Sequence, residues 1–245
     1  HLIEAKKLAF ADLARWVGDP SDMTAPAARL LDDRYVAERR KLLNPKRAAE
    51  RADPGRALTA SETIYLAAAD SAGNMISFIN SVYEYFGSGV VVPGTGFALQ
   101  DRGNGFSMQE GLPNTVGPGK RPFHTIIPAF VTKAGPAGEE PWLAFGVMGG
   151  SVQPQGHVQV LLNLLEFGMD LQEAIDAPRF RHFEGLRVGL EAPIGAAVRE
   201  ELGRMGHTVV ALPPGSAGGA QAVMRLMKGW AAGSDPRKDG GAGGW

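Results

Sequence analysis

The stretch SETIYLAAADSAGNMISFIN, residues 61–80, constrains this chain more than any other. Two apolar runs of β-forming residues flank a segment of Asp, Ser, Gly and Asn, which are turn formers, so the pattern predicts an antiparallel hairpin. Its strands begin at Thr63 and near Met75. Thr63 opens the first run behind two polar residues. A threonine there is a good strand former. It is also a candidate nucleophile, waiting for the bond before it to break.

The hairpin marks a change in pattern. Upstream, LIEAKKLAFADLARWV carries an apolar stripe at helical spacing without a start signal, as if the chain began mid-domain. VGDPSDMTAPAARLLD reads as a loop and DRYVAERRKLL as a second amphipathic helix. Residues 44–62 lack apolar periodicity and contain Asp53-Pro54-Gly55, which predicts an exposed linker ending before Thr63. Downstream come a glycine-rich turn region at 87–121, strands near 126–132 and 142–147, and a helix over GHVQVLLNLLEFG. A short helix at 171–177, a strand near 187, a helix at 194–205 and strands near 208, 221 and 230 follow. The apolar residues of GHVQVLLNLLEFG run so far around the helix that burial on the sheet is expected. Strands, then helices, then strands fit layered packing of helices on sheets.

Composition excludes several functions. A net charge of −1 with no basic patch argues against nucleic acid as a partner. No uninterrupted apolar window is long enough to span a membrane. Without cysteine there is no disulfide framework, no thiolate metal site and no thiol nucleophile, and the compartment stays open. The five histidines, at 1, 124, 157, 182 and 207, are scattered, so no metal is expected. No nucleotide-binding glycine motif, HExxH or GxSxG is present. In FGVMGGSVQPQGH, residues 145–157, a strand ends in Gly149-Gly150 before a helix. Those glycines are either a structural turn or two unhindered N–H donors for an oxyanion.

Six segments in order extend the reading across the chain: ETIYLAAADSAGN, YFGSGVVVPGTGFALQ, GPGKRPFHTIIPA, GVMGGS, EAIDAPRF and GSDPRKDGGAGGW. On them the chain resembles the γ-glutamyltransferase family of N-terminal-nucleophile (Ntn) hydrolases. The resemblance implies a four-layer αββα sandwich of the α+β class. Residues 1–62 would be the tail of a large subunit and 63–245 a complete small subunit, with most of the large subunit upstream. It implies self-cleavage between Glu62 and Thr63, after which the Thr63 hydroxyl is the nucleophile and its α-amine the base. No cofactor is implied. The partners would be a small-molecule acyl donor and a water or amine acceptor.

The resemblance also assigns single positions. Ser81 falls where the family has a hydroxyl touching the nucleophile, and Gly149 and Gly150 match its oxyanion glycines. Tyr83, Arg102, Asn104, His124 and Thr125 fall at or beside substrate-contacting positions. Tyr83 replaces an asparagine, and of a serine pair that touches the donor's α-carboxylate only the Thr125 hydroxyl survives. Arg102 and Gly105 stand where groups that hold an α-ammonium are expected. An arginine repels an ammonium and attracts a carboxylate. The resemblance therefore leaves two donors open, a γ-glutamyl group and a dicarboxylic monoamide lacking the α-amine. An uncleaved chain acting only as a structural module is the reading from another class.

Overall fold

The computed structural model describes residues 1–24, 26–50, 62–136 and 138–244. Helices α1 (Leu2–Trp16), α2 (Ala27–Leu30) and α3 (Asp33–Arg40) precede the hairpin of β1 (Glu62–Ala69) and β2 (Met75–Tyr83). Then come β3 (Ala129–Gly135), β4 (Gly138–Met148), α4 (Gln153–Leu165) and α5 (Leu171–Asp176). The chain continues through β5 (Phe180–His182), β6 (Arg187–Leu190), α6 (Ala196–Arg204), β7 (Thr208–Ala211), β8 (Gly219–Arg225) and β9 (Trp230–Ser234). It divides into two compact units, His1–Leu58 with Asp101–His124 and Phe180–Ala211, and Thr59–Gln100 with Thr125–Arg179 and Leu212–Trp245.

In the first unit β5 and β6 pair antiparallel and β6 and β7 pair parallel, with α6 as the crossover. Ile3 of α1 packs with Val188 and Leu190 of β6 in its core. The chain leaves α1 at Gly18, where a Cβ would lie 2.4 Å from the Pro113 carbonyl carbon, so only glycine fits. Next to it Asp19 accepts from the Arg121 N–H at 2.8 Å and from the Ser21 hydroxyl at 2.8 Å, which ties GPGKRP to the end of α1. Helix α3 starts at an Asp32 N-cap but buries none of its residues. The expected amphipathic packing is replaced by a polar contact, Arg39 to Asp12 of α1 at 3.0 Å. The expected linker is also not wholly exposed. Ala48 is buried, its N–H donates to the Met205 carbonyl, and Glu4 and Lys7 grip the Ala49 N–H and C=O. Residues 51–61 of that linker lie outside the described residues.

In the second unit the predicted strands at Thr63 and Met75 pair antiparallel, and the 70–74 turn is held by the Asp70 carboxylate on the N–H groups of Ala72 and Asn74. The hairpin is a two-stranded sheet of its own, distinct from the antiparallel sheet β3-β4-β8-β9 that carries the helices. Strand β4 joins them through the period-two alternation of its side chains. Leu143, Phe145 and Val147 point toward α4 and α5 and pack with Val160, Leu171 and Ile175. On the opposite face, Gly146 leaves space for the Tyr65 ring of β1, which a Cβ there would strike at 2.3 Å. The layers of this unit are therefore helices, sheet and hairpin.

Helix α4 begins at Gln153, earlier than the expected Gly156, and its burial is one-sided. Val160 is buried while Val158 and Leu165 are exposed, which corrects the expectation of an apolar surface buried all round. Polar residues complete the buried face: Gln153 accepts from the Ile127 N–H, and the two His157 ring nitrogens meet the carbonyls of Gln153 and Ile127. The outer face of the hairpin is apolar and open, with Ile64 75% and Phe78 52% exposed beside Leu66 and Ile76. Among the described residues no helix is long and apolar enough to cross a membrane.

Candidate active site

Along β1 the odd-numbered residues face inward, which places Thr63 on the same side as Tyr65. Its Oγ1 donates to Ser81 Oγ at 3.3 Å, a hydroxyl contact longer than the usual range of about 2.5–3.0 Å. The same Ser81 Oγ accepts the Tyr83 N–H at 3.0 Å. The strand register explains the meeting. Glu62 is opposite Tyr83 and Ile64 opposite Asn80, so Ser81 and Val82 together face Thr63 across a bulge. Tyr83 is buried with φ 81, a left-handed backbone that costs a residue with a Cβ about 1–2 kcal/mol.

Tyr65 links this end of the hairpin to β4. It packs with Ile79 and Met148, and Ile126 borders the cluster. Its hydroxyl meets Ser77 Oγ at 2.6 Å, and burial pushes its pKa up to about 12, so it stays neutral. Gly149 and Gly150 follow Met148 directly. The β4–β8 ladder ends at the pair Met148–Gly219, which leaves both glycines beyond the register. With φ 123 and 59, both hold conformations that side chains rarely adopt. At Gly149 a Cβ would also lie 2.6 Å from Val152 Cγ1.

Behind the glycine pair is a buried ion pair that sequence reasoning missed. Gly218, with φ 78, packs its Cα against Gly149, and a Cβ on it would strike the Met148 carbonyl at 2.4 Å. The Gly218 carbonyl accepts from Arg179 Nη1 at 3.4 Å. Arg179 pairs with Asp235 at 2.9 Å, with the two side chains 1% and 0% exposed. Asp235 also accepts from the Ala220 N–H at 2.8 Å and from Arg237 Nη1 at 3.0 Å. Arg237 donates in turn to the carbonyls of Ile175 and Ala177. The segments EAIDAPRF and GSDPRKDGG are thereby stapled together. An Arg and an Asp inside two recognisable motifs were the available signal.

The other expected site residues divide between the units. Thr125 is buried in the second unit, next to Ile126 of the Tyr65 cluster. In the first unit Arg102 is buried and opens a short 3-10 turn, Arg102–Gly105, that contains the exposed Asn104. Burial first, and then the Arg102 guanidinium, lower the His124 pKa from its ordinary value. Glu62 is a backbone partner of Tyr83, and its side chain lies outside the described atoms. Among the described residues no group of three His, Asp or Glu is placed to hold a metal.

The fold defines the class. The chain superposes over its whole length on cephalosporin acylase from Bacillus halodurans, with TM-score 0.90 and 44% identity, covering 44% of that chain. It also matches a variant of gamma-glutamyltranspeptidase from Pseudomonas nitroreducens, with TM-score 0.64 and 31% identity, covering 76% of this chain and 99% of that one. The layered architecture is that of the Ntn hydrolases. The family described as Gamma-glutamyltranspeptidase matches residues 1–245, and the chain belongs to it. A curated relative, the glutathione hydrolase-like YwrD proenzyme of Bacillus subtilis, is 36% identical over 98% of this chain and 46% of its own length. The chain spans about half the length of that relative.

Proposed function

We propose that the protein is a γ-glutamyltransferase-like Ntn amidohydrolase or acyltransferase that cleaves itself before Thr63. The observation that carries this reading is Thr63 Oγ1 held on Ser81 Oγ at the head of the hairpin. In self-cleavage Oγ1 attacks the Glu62 carbonyl carbon, the C–N bond breaks, and the nitrogen takes up the hydroxyl proton to become the new Thr63 amine. Water then hydrolyses the ester. In turnover that amine, with a reference pKa of about 7.7–8.0, takes the hydroxyl proton while Oγ1 attacks the donor's acyl carbon. The Gly149 and Gly150 N–H groups hold the oxyanion, each donor being worth about 2.7–4 kcal/mol of the barrier. The leaving amine departs with the proton, and water or an amine resolves the threonyl ester.

Residues 1–62 are then the tail of the large subunit and 63–245 the small subunit. The Pseudomonas nitroreducens chain supports that boundary, since 76% of this chain covers 99% of it and residues 63–245 make up about that share. The apolar outer face of the hairpin is where upstream large-subunit residues pack. Intact mass of the full-length protein tests the processing step. Two chains that part between Glu62 and Thr63 are expected, and one chain for T63A. A single chain in a preparation that turns over substrate would overturn it.

A second reading concerns the donor. On the family resemblance Arg102 and Gly105 stand where groups that hold an α-ammonium are expected, and an arginine repels an ammonium and attracts a carboxylate. A dicarboxylic monoamide without an α-amine suits it better than a γ-glutamyl amide. The likeness to a cephalosporin acylase supports this choice.

A further inference from the structure

We infer that Tyr83 acts on the nucleophile through its main chain, its left-handed backbone serving to turn its N–H onto Ser81 and so fix Ser81 as the acceptor for Thr63. The inference rests on the reading of Thr63 as nucleophile. Tyr83 and Phe86 are the two non-glycine residues with positive φ among the described residues. Glycine or asparagine is the usual occupant of that conformation, so a tyrosine holds it only because its surroundings impose it. The burial of Tyr83 supplies that constraint, with 4% of the residue exposed.

The consequence is local and geometric. Had β2 stayed regular, Ser81 and Val82 would not both stand against Thr63, and the Tyr83 N–H would point across the ladder. Instead it returns two residues to Ser81 Oγ at 3.0 Å. A serine hydroxyl has one hydrogen to donate and two lone pairs. With the Thr63 O–H and the Tyr83 N–H both directed at that oxygen, the Ser81 hydrogen is turned elsewhere. Ser81 therefore receives from Thr63 and does not donate to it. In the resting site both Thr63 lone pairs are then uncommitted, one of them for the acyl carbon, and the hydroxyl hydrogen turns from Ser81 to the amine in turnover. Tyr83 is a positioning residue in this account, acting through its N–H and not through its ring.

Steady-state kinetics of the full-length, processed protein separate the two contributions. Y83G and Y83V both remove the ring, so whatever the ring contributes is lost from both alike. Glycine adopts the left-handed backbone freely and a β-branched valine does not, so kcat should be at least tenfold higher for Y83G than for Y83V. In the S81A background Y83V should lower kcat no further, because its effect passes through the missing hydroxyl. If Y83V does not fold, Y83A replaces it with the same expectation. Equal kcat for Y83G and the valine or alanine variant, or a further tenfold loss on top of S81A, would overturn the inference. Turnover by T63A would instead sink the assignment of the nucleophile. An inactive T63A with equal Y83 variants would sink the positioning role alone.

Discussion

Asp235→Asn is the sharpest probe of the staple behind the glycine pair. The substitution keeps the shape and removes the charge that Arg179 faces at 2.9 Å in a site closed to water. Removing one partner of a buried ion pair costs about 3–5 kcal/mol, because the other charge is left uncompensated. Arg179 would keep the carbonyls of Ile175, at 2.7 Å, and Gly218, which moves the expectation to the lower end, about 3 kcal/mol. Arg179→Met should cost less. Asp235 would still be met by Arg237 Nη1 at 3.0 Å and by the N–H groups of Arg237 and Ala220. What R179M loses at Asp235 is one charge-assisted hydrogen bond, about 1.5–3 kcal/mol. Urea unfolding of the full-length protein, analysed at constant m value, reads both losses from the shift in midpoint. A D235N loss under about 1 kcal/mol would refute the reasoning. So would an R179M variant that is the less stable of the two.

Two further predictions concern His182 in the first unit and the choice of donor. Burial and the nearby Lys6 charge hold the His182 pKa down to about 4, with its Nδ1 facing Lys6 Nζ at 3.0 Å. Its unfolded value is near 6.5, so between those values the unfolded chain binds more protons and stability falls as pH drops from about 6.5 to 4. Urea midpoints against pH should fall less steeply for H182Q, and identical slopes would remove His182 from the acid sensitivity. For donor choice, the full-length protein should show at least tenfold higher kcat/KM, about 1.4 kcal/mol, for a glutaryl amide than for the matching γ-glutamyl amide. Equal or better turnover of the γ-glutamyl compound would show that other residues hold the amine.

The elements that sequence exposed best are those whose periodicity is local. The hairpin was legible because its strands alternate and its turn is made of turn formers, and β4 because its apolar run ends in two glycines. The first residues of α4, Gln153-Pro154-Gln155, carry no apolar periodicity, although proline is at home in the first turn of a helix. Strand β5 spans only Phe180–His182 and directly follows the Pro178-Arg179 segment, too short for any periodicity. The Arg179–Asp235 pair joins distant parts of the chain and has no local signature. Neither has the Tyr83 backbone, since a tyrosine gives no sign of positive φ. Thr63 gained weight as a nucleophile, and Ser81 became a candidate at all, only through the family resemblance, because a threonine and a serine in a hairpin are ordinary strand residues. The three-dimensional register is what brings their oxygens to 3.3 Å.

The most direct test of the account is to find which atom carries the acyl group. The full-length protein is treated with an electrophilic analogue of the acyl donor, digested, and its peptides are mapped by mass spectrometry. The account predicts a single adduct on a peptide whose first residue is Thr63, lost in T63A. An adduct on any other residue, or on a peptide in which Thr63 is still joined to Glu62, would contradict it.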